Sequence, residues 1–95
     1  MKLIKIVESD KPEKKMMAVF ETDTGRTKTI HFGAKGMDDY TITKDKEQME
    51  RYLNRHRNNE SWDKADSAGA LSRYVLWSAT TRAQGIRNYK KRFNL

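Results

Sequence analysis

The sequence predicts an α+β domain, a three- or four-stranded antiparallel β-sheet followed by three α-helices, and three observations predict it. Apolar residues alternate with a period of two over the first third of the chain and recur at helical spacing thereafter. Short clusters of turn-forming residues separate the alternating segments, as in a meander. Strand-like patterns stop where the helical ones begin, so strands and helices are segregated along the chain rather than interleaved.

Leu3 to Glu8 is apolar with interspersed charge, and Ser9-Asp10-Lys11-Pro12-Glu13 is a turn by composition. Met16 to Glu21 is apolar on both alternating faces, Met16, Ala18 and Phe20 against Met17 and Val19, which suits a central strand. Asp23-Thr24-Gly25-Arg26 supplies the next turn, with Gly25 free to take a positive φ. In Thr27 to Phe32, Ile30 and Phe32 face one way while Thr27, Thr29 and His31 face the other. Gly33 to Asp39 reads as a loop and Tyr40-Thr41-Ile42 as a short fourth strand, closing a meander over residues 1–43.

Residues 44–95 read as helices, covering one face of the sheet. Asp45 is placed as an N-cap with Gln48 three residues on, and Met49, Tyr52, Leu53 and His56 follow as the buried stripe of a helix reaching about Asn58. Asn58-Asn59-Glu60-Ser61 breaks it. A second helix spans about Ser67 to Trp77, with Leu71, Tyr74 and Val75 on one face. Gly69 weakens that helix by about 1 kcal/mol relative to Ala and marks a close helix contact. A third begins at Thr81, where Thr81 and Gln84 make a capping-box pair, and Ile86, Tyr89 and Phe93 give it an apolar stripe.

Ninety-five residues make one domain, 1–95, and its aromatic content argues against disorder. The absence of cysteine excludes disulfides, thiolate metal sites and a cysteine nucleophile. The first eight residues are interrupted by Lys5, which is unlike a signal peptide, and no apolar run reaches membrane-spanning length; a soluble protein without membrane insertion is expected. Charge placement is the strongest functional signal. Residues 1–66 hold fourteen of the twenty basic side chains and all thirteen acidic ones. Residues 67–95 hold Arg73, Arg82, Arg87, Lys90, Lys91 and Arg92 with no acid at all. A one-sign tail on a folded domain builds a field that attracts anions.

Thr29-Ile30-His31-Phe32-Gly33-Ala34-Lys35-Gly36 and Asp39-Tyr40-Thr41 carry a pattern that continues through Tyr52, Arg55-His56, Asn59-Glu60, Trp62, Gly69 to Tyr74, Leu76-Trp77, Tyr89 and Phe93. This pattern resembles a family of small, mostly uncharacterised proteins of large nucleocytoplasmic DNA viruses, in chlorella-virus, mimivirus and marseillevirus lineages. The likeness covers roughly the last two-thirds of the chain, and Ser78-Ala79-Thr80-Thr81 stands where a proline-containing turn is expected. It implies a viral protein, placed in the virion or in the cytoplasm or nucleus of an infected cell, with viral DNA as partner. It implies no catalytic residues.

Set against plain structural roles, the basic C-terminal helix stands first as a site. Cations at a helix C-terminus complement the dipole, which accounts for Lys90, Lys91 and Arg92 but not for Arg73, Arg82 or the missing acids. Four to six phosphate contacts would give a log–log salt slope of roughly −4 to −5. Gly33-Ala34-Lys35-Gly36 is first of all a connecting loop, although Lys35 and nearby amides could touch a phosphate; it lacks the Gly-Lys-Ser/Thr of a Walker loop. His31 and His56 lie on different elements, with Asp38 or Asp39 nearest as a third ligand, so a metal-dependent nuclease is the weaker reading. No serine-centred elbow is present. Trp62 and Trp77 flank the second helix and read as core residues, Trp62 the more accessible.

The expected protein is therefore a non-enzymatic, cofactor-free and metal-free DNA-binding domain. Arg73, Arg82, Arg87, Lys90, Lys91 and Arg92, helped by Lys35, hold double-stranded DNA through phosphates with weak sequence preference. An exposed sheet edge allows a homodimer. The alternative is a virion or viral-factory module docking onto a viral or host protein without nucleic acid. A membrane-surface reading through Ile86, Tyr89, Phe93 and Leu95 requires those side chains to be exposed.

Overall fold

Three strands come first, β1 (Lys2–Glu8), β2 (Lys14–Glu21) and β3 (Thr27–Ala34), paired antiparallel in the order β1-β2-β3. The computed structural model describes residues 1–58 and 61–95. Met16 lies opposite Phe32, Ala18 opposite Ile6 and Ile30, and Phe20 opposite Leu3. That register gathers the alternate apolar side chains of β2 and β3 on one face, where Met16, Ala18, Phe20 and Phe32 are buried. The β2–β3 turn closes with Gly25 at φ 83° and Thr22 N–H donating to Arg26 O at 2.7 Å. In β1 the pairing shifts between Leu3 and Lys5, a bulge on an edge strand.

The segment expected as a fourth strand is instead one helical turn, α1 (Tyr40–Thr43). Its β-branched residues suggest a strand, but Asp39 decides locally. Its carboxylate accepts from Thr41 N–H at 2.8 Å and from the Thr41 hydroxyl, and Lys44 ends the turn at φ 54°. The sheet thus stops at Ala34, and among the described residues four helical segments follow it rather than three.

The second segment, α2 (Lys46–His56), starts where expected: Asp45 Oδ1 accepts from Glu47 N–H at 3.0 Å and Gln48 N–H at 3.2 Å. Its stripe turns inward, with Tyr52 buried and Met49 and Leu53 packed on the core. The break expected over residues 58–61 falls partly on Asn59 and Glu60, which lie outside the described residues.

The helix expected from Ser67 to Trp77 is present but not uniform. α3 (Ala68–Leu71), capped by Ser67 Oγ accepting from Ala70 N–H, widens into a π-turn over Ser72–Leu76. Leu71, Val75 and Leu76 are fully buried there, while Tyr74 is only partly so. Ser78 then anchors the connection, its hydroxyl donating to Tyr74 O and accepting from Asn88 Nδ2.

α4 (Arg82–Phe93) begins on Thr81, whose Oγ1 accepts from Gln84 N–H at 3.2 Å. The capping box is half made, because the Gln84 side chain turns to Asn88 and Arg87 instead. A close helix contact lies at Gly85, where a Cβ would sit 2.1 Å from Val75 O. Tyr89 is wholly buried and donates to Ala65 O at 2.6 Å, while Ile86 and Phe93 pack against the core. The strands and helices therefore share one core between a single sheet face and the helical layer, an α+β architecture.

Candidate nucleic-acid interface

The six C-terminal cations fall into three environments. Arg87, Lys90 and Lys91 stand at i, i+3 and i+4 and share the exposed side of α4, opposite Gly85 and Tyr89. Among the described residues none of the three pairs with a carboxylate; Arg87 donates to Gln84 Oε1 at 2.8 Å. Arg92 turns to one side of the helix, where it pairs with Asp63 at 2.8 Å and lies over the Phe93 ring. Arg73 packs between aromatic residues, its guanidinium 5.4 Å from the Trp62 ring and 5.0 Å from that of Tyr74. Burial pulls its pKa below the ordinary value, and its Nε is buried without a hydrogen-bond partner among the described residues. Arg73 is a packing cation, and its methylenes and planar head serve the interior.

Arg82 takes the third position. At the start of α4 it borders a cleft of about 320 Å³ together with Lys35, Ser9, Glu8 and Asp38. Lys35 is exposed there, just past the end of β3. The neighbouring amides do not form an anion cradle, since Lys35 N–H donates to Glu13 O and Met37 N–H to Ala34 O. Gly36, at φ 89°, serves the chain reversal, while Gly33, at φ 79° within β3, stands where a Cβ would meet Leu76 Cδ1 at 2.8 Å. The structure thus brings Lys35 to Arg82, keeps Arg87, Lys90 and Lys91 together, and removes Arg73 and Arg92 from the free set.

The second cluster was not foreseen. Lys15, near the start of β2, donates to Asp39 Oδ2 at 2.6 Å, with the two side chains 7% and 1% exposed. Asp39 is therefore saturated by Lys15 and Thr41 and is an element of the fold. His31 Nδ1 lies 2.7 Å from Ser9 Oγ, and the His56 ring stacks on Tyr52 at 4.2 Å. No group of three His, Cys, Asp or Glu side chains among the described residues could hold a metal ion. Two adjacent lysines opening a strand give no hint that one of them is buried. The stack was half legible, because Tyr52 and His56 stand four apart on the predicted stripe.

Beside this pair lies the larger cleft, about 550 Å³, between the β2–β3 end of the sheet, α2 and α3. Its wall includes a three-ring stack with Tyr52 in the middle, 4.1 Å from Trp77 and nearly parallel to it, with His56 on the other side. Trp77 is buried, as expected; Trp62, read as the more accessible, is half-buried under Arg73. The apolar side of α4 faces the core, which removes the requirement on which a membrane-surface role rests. No helix among the described residues is long and apolar enough to cross a membrane.

These features define a small basic α+β domain with one covered sheet face and a cationic final helix. The chain belongs to a family of unknown function, DUF5754, whose model matches residues 4–56. The matched stretch holds the sheet, α1 and α2 and ends before the six clustered cations. No curated protein and no solved structure matches the chain.

Proposed function

We propose that the protein binds the phosphate backbone of DNA, double-stranded DNA included, through the exposed side of α4. One observation carries this reading: Arg87, Lys90 and Lys91 line one helical face, and none has a carboxylate partner among the described residues. Asn94 closes the helix in the left-handed conformation, its N–H and that of Leu95 capping the Lys90 and Lys91 carbonyls, so the three cations stand on a finished helix end. Phosphate contacts position without specifying, so sequence preference is weak. The resemblance to proteins of large DNA viruses makes viral DNA the polyanion, in the virion or in the infected cell's cytoplasm or nucleus.

With Arg73 packed inside and Arg92 paired, about three phosphates are engaged and the log–log salt slope is about −3, shallower than six cations would give. Fluorescence anisotropy of a labelled duplex over a salt series measures it. The triple variant Arg87→Glu, Lys90→Glu, Lys91→Glu abolishes binding at physiological salt while the fold persists, since all three side chains are exposed. Undiminished duplex affinity in that variant would sink the reading.

A further inference from the structure

The cleft beside the ring stack is not used by the phosphate contacts of α4, yet its lining is that of a binding site. Its volume of about 550 Å³ lies in the range that holds small organic ligands. Tyr52, His56, Trp77 and Phe32 put four aromatic rings in its wall, and Lys14 puts positive charge on it. Asp39, the buried carboxylate in the lining, is neutralised by Lys15, whereas Asp38 beside it is exposed. The π-turn sets the geometry: Leu76 at its end and Trp77 just after it both line the cleft, as does Ser72 at its start. Such single wide turns recur at functional sites.

A flat apolar wall with cations beside it suits a planar heteroaromatic ring attached to a phosphate. The smaller cleft, with Lys35 and Arg82, shares Lys15, Gly36, Met37 and Asp38 with the larger one, so loop residues 36–38 border both. A ring in the large cleft therefore has Lys35 and Arg82 just across that loop for an adjoining phosphate, beside the carboxylates of Glu8 and Asp38.

We infer that the large cleft receives one unpaired nucleobase of a single-stranded nucleic acid, while Lys35 and Arg82 hold a neighbouring phosphate. The inference rests on the polyanion reading of α4 and adds to it a preference for unpaired bases, which a duplex cannot offer to a cleft.

The test compares a short oligodeoxythymidylate with a duplex carrying the same number of phosphates, by anisotropy at one salt concentration. Roughly tenfold tighter binding of the single strand is expected from one base held against aromatic side chains. Ala68→Trp fills the cleft from an exposed position at the start of α3 and abolishes that preference without weakening duplex binding, which doubles as the check on folding. His56→Ala reduces the preference in the same direction. Equal affinity for the two oligonucleotides, or a preference that survives both variants, overturns the cleft assignment and leaves duplex binding by α4 standing. Failure to bind either oligonucleotide overturns both.

Discussion

Lys15 and Lys90 are the same side chain in opposite circumstances, and the contrast separates the molecule into a part that uses charge to fold and a part that displays it. Lys15 is buried against a carboxylate that itself caps a helical turn, so the pair ties β2 to α1. Lys90 stands on the exposed side of α4 beside two other cations and meets no carboxylate among the described residues. Charge run alone does not distinguish them. What distinguishes them is whether folding delivers a partner.

The largest expected effect breaks the inner half of that comparison. Lys15→Met leaves the Asp39 carboxylate buried and uncompensated, at a cost of about 3–5 kcal/mol. Lys90→Met changes stability by no more than about 0.5 kcal/mol, as for other exposed positions. Urea denaturation of the two variants side by side measures the difference, and similar midpoints would remove the distinction. Next comes the joint between the two parts. Gly85→Ala forces a methyl group into the Val75 carbonyl and costs about 1–3 kcal/mol or more, because backbone rather than a flexible side chain must give way.

Tyr89 supplies a smaller effect with a pH signature. Burial first, and the Asp66 charge second, push its pKa above the usual tyrosine value. An unfolded tyrosine ionises near pH 10, so the stability Tyr89 confers is intact below that pH and is lost as pH rises further. Tyr89→Phe costs about 1 kcal/mol at neutral pH through the lost bond to Ala65 O, and it flattens the alkaline decline in melting temperature. The smallest change sharpens the outer half. Asp63→Asn releases Arg92 at a stability cost of about 0–1 kcal/mol, since the pair is exposed, and steepens the salt slope for duplex binding by about 1.

Legibility in the sequence followed how local each determinant is. The alternation through Met16, Ala18 and Phe20 identified the central strand, because a side-chain period of two survives in any sheet with one covered face. Asp45 and Thr81 announced their helices because an N-cap needs only its own next three residues. Tyr40-Thr41-Ile42 misled, since β-branched residues suggest extension, and although the Asp39 cap is local, the Lys15 contact that buries it comes from 24 residues earlier. Gly85 did not declare its contact in the sequence, because a glycine weakens any helix alike and only packing tells whether it touches a backbone. The basic run was plain from charge counting. Its division into packed, paired and displayed members was not, because the aromatic partners of Arg73 and the acidic partner of Arg92 are set by tertiary structure.

The wide turn at Ser72–Leu76 has a consequence for how the chain tolerates length changes. Deleting one residue there lets the backbone tighten to regular α-helical winding, which takes up the loss, whereas adding one rotates everything after it by about 100° about the helix axis. Trp77 would swing off the face of Tyr52, and Gly85 would no longer meet the Val75 carbonyl. Two features far apart in sequence, an aromatic wall and a helix crossing, are thus phased through the same turn, which absorbs the loss of one residue but passes a further insertion on to both at once.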